Sequence, residues 1–268
     1  MFSDLSLSRR LERAEGHACV QFAEARRRLI PDSGAEWIEC AGAYAVFDAV
    51  GSPVTQTFGL GLFEELSPAT LDTIERFFLD RGAEVFHEVS PFVGPAALAL
   101  LCARQYRPIE ISNVMYRAVE KPVAEYGNVS VSARVIGPEE SQLWSKISAR
   151  GWTHEHPELQ DFVNQMGGIT SARAESPCFL AELDGQPGAA GVLFVRDGVA
   201  LFGGAATVPE MRRRGLQAAL LEARMRYAFD HGCDLAMMVA DAGSNSQRNA
   251  ERRGFRVAYT RVKWRLGR

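Results

Sequence analysis

Apolar residues in the segment LERAEGHACVQFAEARRRL recur at helical spacing (Ala14, Ala18, Val20, Phe22, Ala25, Leu29) and stop before Pro31, which predicts a surface helix. Its closing Arg26-Arg27-Arg28 run reads as a solvated helix end, where cations suit the dipole. From Ala35 to Leu62 the pattern shortens to apolar runs broken by turn residues (AYAVFDAVGSPVTQTFGLGL), predicting two or three antiparallel strands around Gly51-Ser52-Pro53. A helix over SPATLDTIERFFLDRG follows, with Ser67 as N-cap and Gly82 as stop. A strand (AEVFHEV), a helix (PAALALLCARQ) and a strand (YRPIEISNVMYRAV) complete this half, and residues 121–128, KPVAEYGN, read as a linker.

The second half repeats that order. A strand (VSARVIG) leads to helical regions near 141–149 and 157–166, then to the strands FLAELDGQPGAAGVLFV and GVALFGGAATV. The helix LQAALLEARMRYAFDHG, the strand DLAMMVAD, the helix SQRNAERRG and the strand FRVAYTRVKWR close it. Some words repeat as well: Arg81-Gly82-Ala83-Glu84-Val85 aligns with His231-Gly232-Cys233-Asp234-Leu235 at an offset of 150, and Arg104-Gln105-Tyr106-Arg107 with Arg253-Gly254-Phe255-Arg256 at 149. Phe58-Gly59 aligns with Phe202-Gly203 at only 144, so six additional residues are expected between strand and helix in the second half, where MRRRGLQ lies. The expectation is an α/β (α+β) chain of two similar domains, 1–122 and 128–268, each a mixed, mostly antiparallel sheet flanked by helices.

Composition changes this picture little. With 47 % hydrophobic and 24 % charged residues in 268, the chain is ordinary globular protein, long enough for two domains. Its longest apolar runs, such as FVGPAALALLCA, fall short of the roughly 20 residues of a membrane span. The opening MFSDLSLSRRLERAEG carries charges where a leader would be apolar. Five scattered cysteines offer neither a disulfide framework nor a metal knuckle, and reduced, mostly buried thiols of a cytoplasmic protein are expected. Charge is more telling. Through residue 125 there are 12 basic against 18 acidic residues, and 18 against 15 thereafter, which points a small anionic ligand to the second half without arguing for nucleic acid.

That ligand has an evident place. Where a strand hands over to a helix through a glycine-containing turn, several backbone N–H groups converge on one point and the helix dipole adds positive potential. The stretch TVPEMRRRGLQ makes such a turn, and Gly215 allows close approach and a positive φ. Three arginines at a helix mouth are tolerable where an anion neutralises them or where they point into solvent, as in a plain charged turn. There is no Walker lysine, and the Gly59-Leu60-Gly61 of the first half fails as a dinucleotide fingerprint because Glu64 stands at the third glycine position.

The order strand, V/T-x-P-E-x-R-x-x-G-x-x-x-x-L-L, helix, strand, and a closing helix into a Gly-Phe strand resembles the GNAT N-acetyltransferase superfamily, whose signature is Arg/Gln-x-x-Gly-x-Gly/Ala. Arg212 and Gly215 match it, Gln217 stands where glycine or alanine is usual, and Gly254-Phe255 matches the later pair. The resemblance covers about 128–266, with 1–120 like a degenerate second copy lacking the cofactor loop. It implies acetyl-CoA as cosubstrate, its pyrophosphate held by the amides of Arg213, Arg214, Gly215, Leu216, Gln217 and Ala218 with Arg212 alongside. The pantetheine arm would lie along Ala206, Thr207 and Val208, in a splay between that strand and the next, with Asn245 and Asn249 bonding its amides.

Acetyl transfer to an amine also needs an acceptor for the amine's proton, a donor to the carbonyl oxygen and a proton for the departing thiolate. The tyrosine the family often uses as acid is here Ala250, so Ser246, Ser244 and Tyr259 are the substitutes, each with an alternative role as cap or packed aromatic. The family's glutamate on the fourth strand is missing from VALFGGAATV, leaving Asp241 and Glu155 as bases. Gly203 and Gly204 leave room beside the acetyl group. The loop from Trp152 to His156 falls where the family contacts the acceptor. His154-x-His156 offers two metal ligands without a third, so no metal is expected, and His17, His87 and His231 read as structural or surface residues. The expectation is a cytoplasmic N-acetyltransferase of a small-molecule amine, monomer or homodimer, without nucleic acid or membrane partners. A non-catalytic acyl-CoA binder, or acetylation of a protein amine, are the alternatives.

Overall fold

The computed structural model describes residues 2–121, 130–154 and 156–267, so most of the linker and Glu155 lie outside the described residues. The chain forms two compact units, Met1–Arg117 with Met237–Arg268, and Ala118–Ala236. It begins with α1 (Leu5–Leu29), β1 (Glu36–Cys40), β2 (Ala43–Phe47), β3 (Gln56–Phe58), α2 (Pro68–Leu79), β4 (Phe86–Val89), α3 (Gly94–Ala103) and β5 (Tyr106–Ala118). Next come β6 (Val131–Val135), α4 (Ser141–Trp152), α5 (Gln160–Ser171), β7 (Cys178–Leu183), β8 (Gln186–Arg196), β9 (Val199–Thr207) and α6 (Leu216–Asp230). The last elements are β10 (Leu235–Asp241), α7 (Asn245–Arg252) and β11 (Arg256–Leu266). The fold is α/β, with mostly antiparallel strands flanked by helices, as the hydrophobic pattern predicts.

In the first unit the strands run β1-β2-β3-β4-β11-β5-β10. β11 lies between β4 and β5, antiparallel to both, with Val262 opposite Val89 on one side and Ile111 on the other. The compact units therefore differ from the division at 122–128. The final strand of the second sequence repeat is a central strand of the first unit, and α7 stays with it. Leu71, Ile74, Phe77 and Phe78 of α2 pack on Val85, Val89 and Leu101 as one apolar core. Arg26 corrects the reading of the arginine run as solvated: it is buried and ion-paired with Asp48, whose other oxygen accepts from Ser52 Oγ at 2.5 Å.

In the second unit β6, β7, β8 and β9 form an antiparallel meander, turned at Asp184-Gly185 and Asp197-Gly198. Trp144 and Ile147 of α4 pack with Ala190 and Val192 of β8, while the Gly191 between them faces Arg224 of α6. The two helices thus cover opposite faces of the strand. The indole of Trp144 donates to the carbonyls of Phe179 (3.0 Å) and Gly191 (3.2 Å), fixing α4 to the sheet.

The six-residue insertion expected between strand and helix is absent. The connections are 59–67 in the first unit and 208–215 in the second, nearly equal in length. The extra length of the second repeat sits in the strand, since β9 has 9 residues and β3 only 3. All five cysteines are free, but only Cys178 and Cys233 are buried; Cys19 and Cys40 are half-buried and Cys102 is exposed. Among the described residues no helix is long and apolar enough to cross a membrane.

Candidate functional site

β9 leaves the sheet at Thr207, a single turn over Pro209–Met211 follows, and α6 starts at Leu216. Gly188 of β8 makes room for this turn, because a Cβ there would lie 2.1 Å from Met211 Sδ and 2.9 Å from Leu216 Cδ2. Its carbonyl takes the N–H of Val208 at 2.9 Å. Val208 and Leu216 are buried, so both ends of the loop are anchored in the core, and the exposed residues between them are Pro209, Glu210 and Arg212 to Gly215.

The N-cap of α6 is Gly215, at φ 93° and ψ −9°, and no side chain caps the helix. A Cβ on Gly215 would meet only Val131 Cγ2, at 3.9 Å, so the space over the helix mouth is open. Arg213 is also left-handed, at φ 62°. An α-helix leaves its first N–H groups without intrahelical partners, and here neither a cap side chain nor a glycine Cβ shields those of Leu216, Gln217 and Ala218. Arg213 and Arg214, which precede them in the chain, are exposed. These residues suit a bound pyrophosphate, which needs converging donors, positive charge and unobstructed backbone.

Arg212 and Gln217 do something the sequence did not reveal. The Arg212 guanidinium folds back on its own scaffold, donating to Thr207 O (3.3 Å) and Gly151 O (3.2 Å) and lying against the His154 ring, with Nη1 2.9 Å from Nε2. Gln217 Nε2 donates to Thr207 Oγ1 at 2.7 Å, tying the first turn of α6 to the end of β9. Gly151 permits the contact of α4 with this strand end, since a Cβ there would lie 2.7 Å from Ala206 Cβ. Ala206 and Thr207 are buried.

Upstream, β9 carries a β-bulge. Val192 of β8 faces Gly203 and Ala190 faces Ala206, so Gly204 and Ala205 together oppose Gly191. Gly204 takes φ 57°, open to an L-residue only under strain. Beneath the bulge lies Arg224, only 3 % exposed, which is missing from the site predicted from sequence. Its signal was legible: Leu216, Leu220 and Ala228 are buried at four-residue spacing along α6, and Arg224 occupies the same stripe. Burial lowers its pKa to about 10, which leaves it a cation at neutral pH.

Apart from Glu155, which lies outside the described residues, the remaining predicted residues lie in the first unit. Asp241 is exposed at the end of β10, and Ser244 caps α7 by accepting from the Gln247 N–H at 3.1 Å. Ser246 is exposed. Asn245 and Asn249 are exposed and accept from Arg248 (2.8 Å) and Arg252 (3.1 Å). Tyr259 is buried and donates to Glu12 of α1 at 2.9 Å. Burial, with the Glu12 charge, raises its pKa well above that of a free phenol, so it is committed to this network. Arg261 joins the same network through Glu12 (3.2 Å), Glu15 (2.6 Å) and Glu88 (3.1 Å). Burial raises the pKa of Glu12 to about 7 despite Arg261. Among the described residues no group of three or more histidine, cysteine, aspartate or glutamate side chains could hold a metal ion.

Residues 141–255 match the model of the acetyltransferase (GNAT) family. No curated protein matches the chain at a significant level. Among solved structures the chain is similar to a GCN5-related N-acetyltransferase from Kribbella flavida, at 18 % identity over 93 % of this chain and 96 % of that one, with a TM-score of 0.66. It is also similar to a GCN5-related N-acetyltransferase from Sphaerobacter thermophilus, at 16 % identity over 94 % and 91 %, TM-score 0.55. A tandem GNAT protein from the clavulanic acid biosynthesis pathway matches at 14 % identity over 84 % and 79 %, TM-score 0.58. At these identities the likeness is one of fold, and it extends through both halves of the chain. With the strand, arginine–glycine turn and helix in place, residues 141–255 carry the features that the acetyltransferase (GNAT) family model matches, on a fold shared with solved GNAT proteins.

Proposed function

We propose that this protein transfers an acetyl group from acetyl-CoA to the amine of a small molecule, using the turn before α6 as its pyrophosphate site. The observation that carries this is the uncapped, glycine-started N-terminus of α6, preceded by the exposed Arg213 and Arg214 and braced by Arg212. In this reading Arg213 to Ala218 bind the pyrophosphate through backbone N–H groups, and Ala206 to Val208 line the pantetheine arm. Acetyl-CoA supplies the acetyl group: the amine nitrogen bonds to the thioester carbonyl carbon as the C–S bond breaks, the nitrogen gives up one proton, and the sulfur ends as a thiol. Backbone N–H groups at the β9 bulge donate to the carbonyl oxygen as charge develops on it. Asp241 and Glu155 are assigned to the amine's proton, and Ser246 to the thiolate directly or through water. No proton transfer is assigned to Tyr259, whose hydroxyl is engaged by Glu12.

We further infer that the first repeat, 1–122, binds no coenzyme. A second reading, acyl-CoA binding without catalysis, is favoured by Ala250 at the position of the family's tyrosine and by the lack of an acid on β9. Free thiol released from acetyl-CoA across a panel of amines decides between them. Turnover on at least one amine is the expected result. Tight binding with no turnover on any amine would support the second reading, and no binding at all would sink both.

A further inference from the structure

The buried guanidinium of Arg224 is the least expected group in the second unit. Its Nη1 donates to the carbonyls of Val192 and Gly203, 3.3 Å each, and its Nε to Leu220 O at 3.2 Å. The cation lies 5.0 Å from the centre of the Phe202 ring, and among the described residues no carboxylate pairs with it. Gly191 leaves room above it, since a Cβ there would sit tightly, 3.2 Å from both Cζ and Nη1. Val192 and Gly203 are the register pair just before the bulge, so Arg224 supplies donors where the ladder is interrupted.

The Val192 and Gly203 carbonyls need only two N–H donors, and a neutral amide could provide them without burying a charge, which costs several kcal/mol when no anion accompanies it. What the guanidinium adds is therefore charge, held at one particular peptide. In a trans peptide the C=O and the following N–H point in opposite directions. Fixing the Gly203 carbonyl towards α6 aims the Gly204 N–H the other way, at a residue that is exposed and has no side chain to cover it. A cation on the oxygen also polarises the peptide and strengthens its N–H as a donor.

We propose that Arg224 is a positioning residue for acetyl transfer: from beneath the bulge it holds the Gly203 carbonyl and, through that peptide, aims and strengthens the Gly204 N–H as the donor to the thioester oxygen. This rests on the reading of the domain as an acetyltransferase. It separates Arg224 from the pyrophosphate loop, since a coenzyme without the acetyl group has no thioester carbonyl to sense the bulge.

The test compares wild type, Arg224→Gln and Arg224→Lys in three measurements: amide exchange at Gly204 in the unliganded protein, affinities for CoA and for acetyl-CoA, and kcat on an accepted amine. For Arg224→Gln the expected result is slower exchange at Gly204, whose exposed N–H loses the cation that acidified it, CoA affinity within about twofold of wild type, a lost preference for acetyl-CoA over CoA, and kcat lower by roughly tenfold to a hundredfold. Arg224→Lys, which keeps the charge, should recover part of the kcat loss. Unchanged exchange with unchanged kcat would overturn the proposal, as would equal losses of CoA and acetyl-CoA affinity, which mark a merely structural arginine. If the glutamine variant does not fold, Gly191→Ala, which presses on the guanidinium, is read for the same effects with the same consequences. A wild type that binds both coenzymes yet acetylates no amine would overturn the acetyltransferase reading, while exchange and the acetyl-CoA to CoA ratio still decide the role of Arg224.

Discussion

The two units each join a strand to a helix by a connection of similar length, and the two connections differ in everything that governs anion binding. In the first, Ser67 caps α2 by accepting from the Thr70 N–H at 3.1 Å, and Glu64 and Glu65 stand exposed beside it. Phe63 fills the space, so close to Gly42 and Gly59 that a Cβ on either would come within 3 Å of its ring or Cβ, and Arg13 stacks 4.1 Å from the ring centre. In the second, Gly215 offers no cap, three arginines run up to it, the one acid, Glu210, is paired with Arg150, and the mouth is open. The difference teaches that an anion site at a helix start does not need a longer loop. It needs the cap left out, and the charge and the space left in.

The largest expected effect breaks the open connection. Gly215→Glu places an L-residue at φ 93° and a carboxylate where the anion belongs. In wild type, acetyl-CoA at a hundredfold over Kd should stabilise the fold by about 2.7 kcal/mol, read as a rise in Tm, and the variant should show none of it.

The next effect contrasts the interiors. Glu12, with its pKa raised to about 7, favours the folded state while protonated. Its contribution is complete below the unfolded value near 4.5 and is lost as pH rises through about 7. His87, lowered by burial to about 3, works in the opposite direction, and its contribution is lost as pH falls from 6.5 towards that value. Chemical denaturation across pH should show Glu12→Gln removing the fall in stability between about pH 4.5 and 7, by a few kcal/mol at most. An unaltered fall over that range would contradict this role of Glu12.

Smaller effects sharpen the loop comparison. Arg212→Ala frees the turn from Thr207 and Gly151, and acetyl-CoA affinity by calorimetry should fall about tenfold, or roughly 1.4 kcal/mol. Ser67→Ala should cost about 1 kcal/mol of stability through the lost cap and leave coenzyme affinity untouched. Gln217→Ala removes one hydrogen bond to Thr207, so a loss of about 0.5–1 kcal/mol in urea unfolding is expected.

Much of this was legible in the sequence. The alternating and helical periods located the elements, because burial on one face imposes them. The Arg-x-x-Gly turn located the candidate site, because backbone geometry there demands glycine. What escaped is set by contacts across the fold. The alignment of Phe58 with Phe202 misplaced the insertion, since identical residues do not sit at equivalent points of strands of unequal length. Tyr259 read as a candidate acid or a packed aromatic until α1 brought Glu12 to it, and Arg26 looked solvated until Asp48 did the same. Arg224 sat in an apolar stripe, but only the β8–β9 bulge shows why.

The central claim is that the open helix start of the second unit is the coenzyme site and the capped start of the first is not. Calorimetric titration of the whole chain with CoA tests it most directly. The account predicts one site per chain, abolished by Gly215→Glu and retained in Ser67→Ala; two sites, or binding that survives Gly215→Glu, would contradict it.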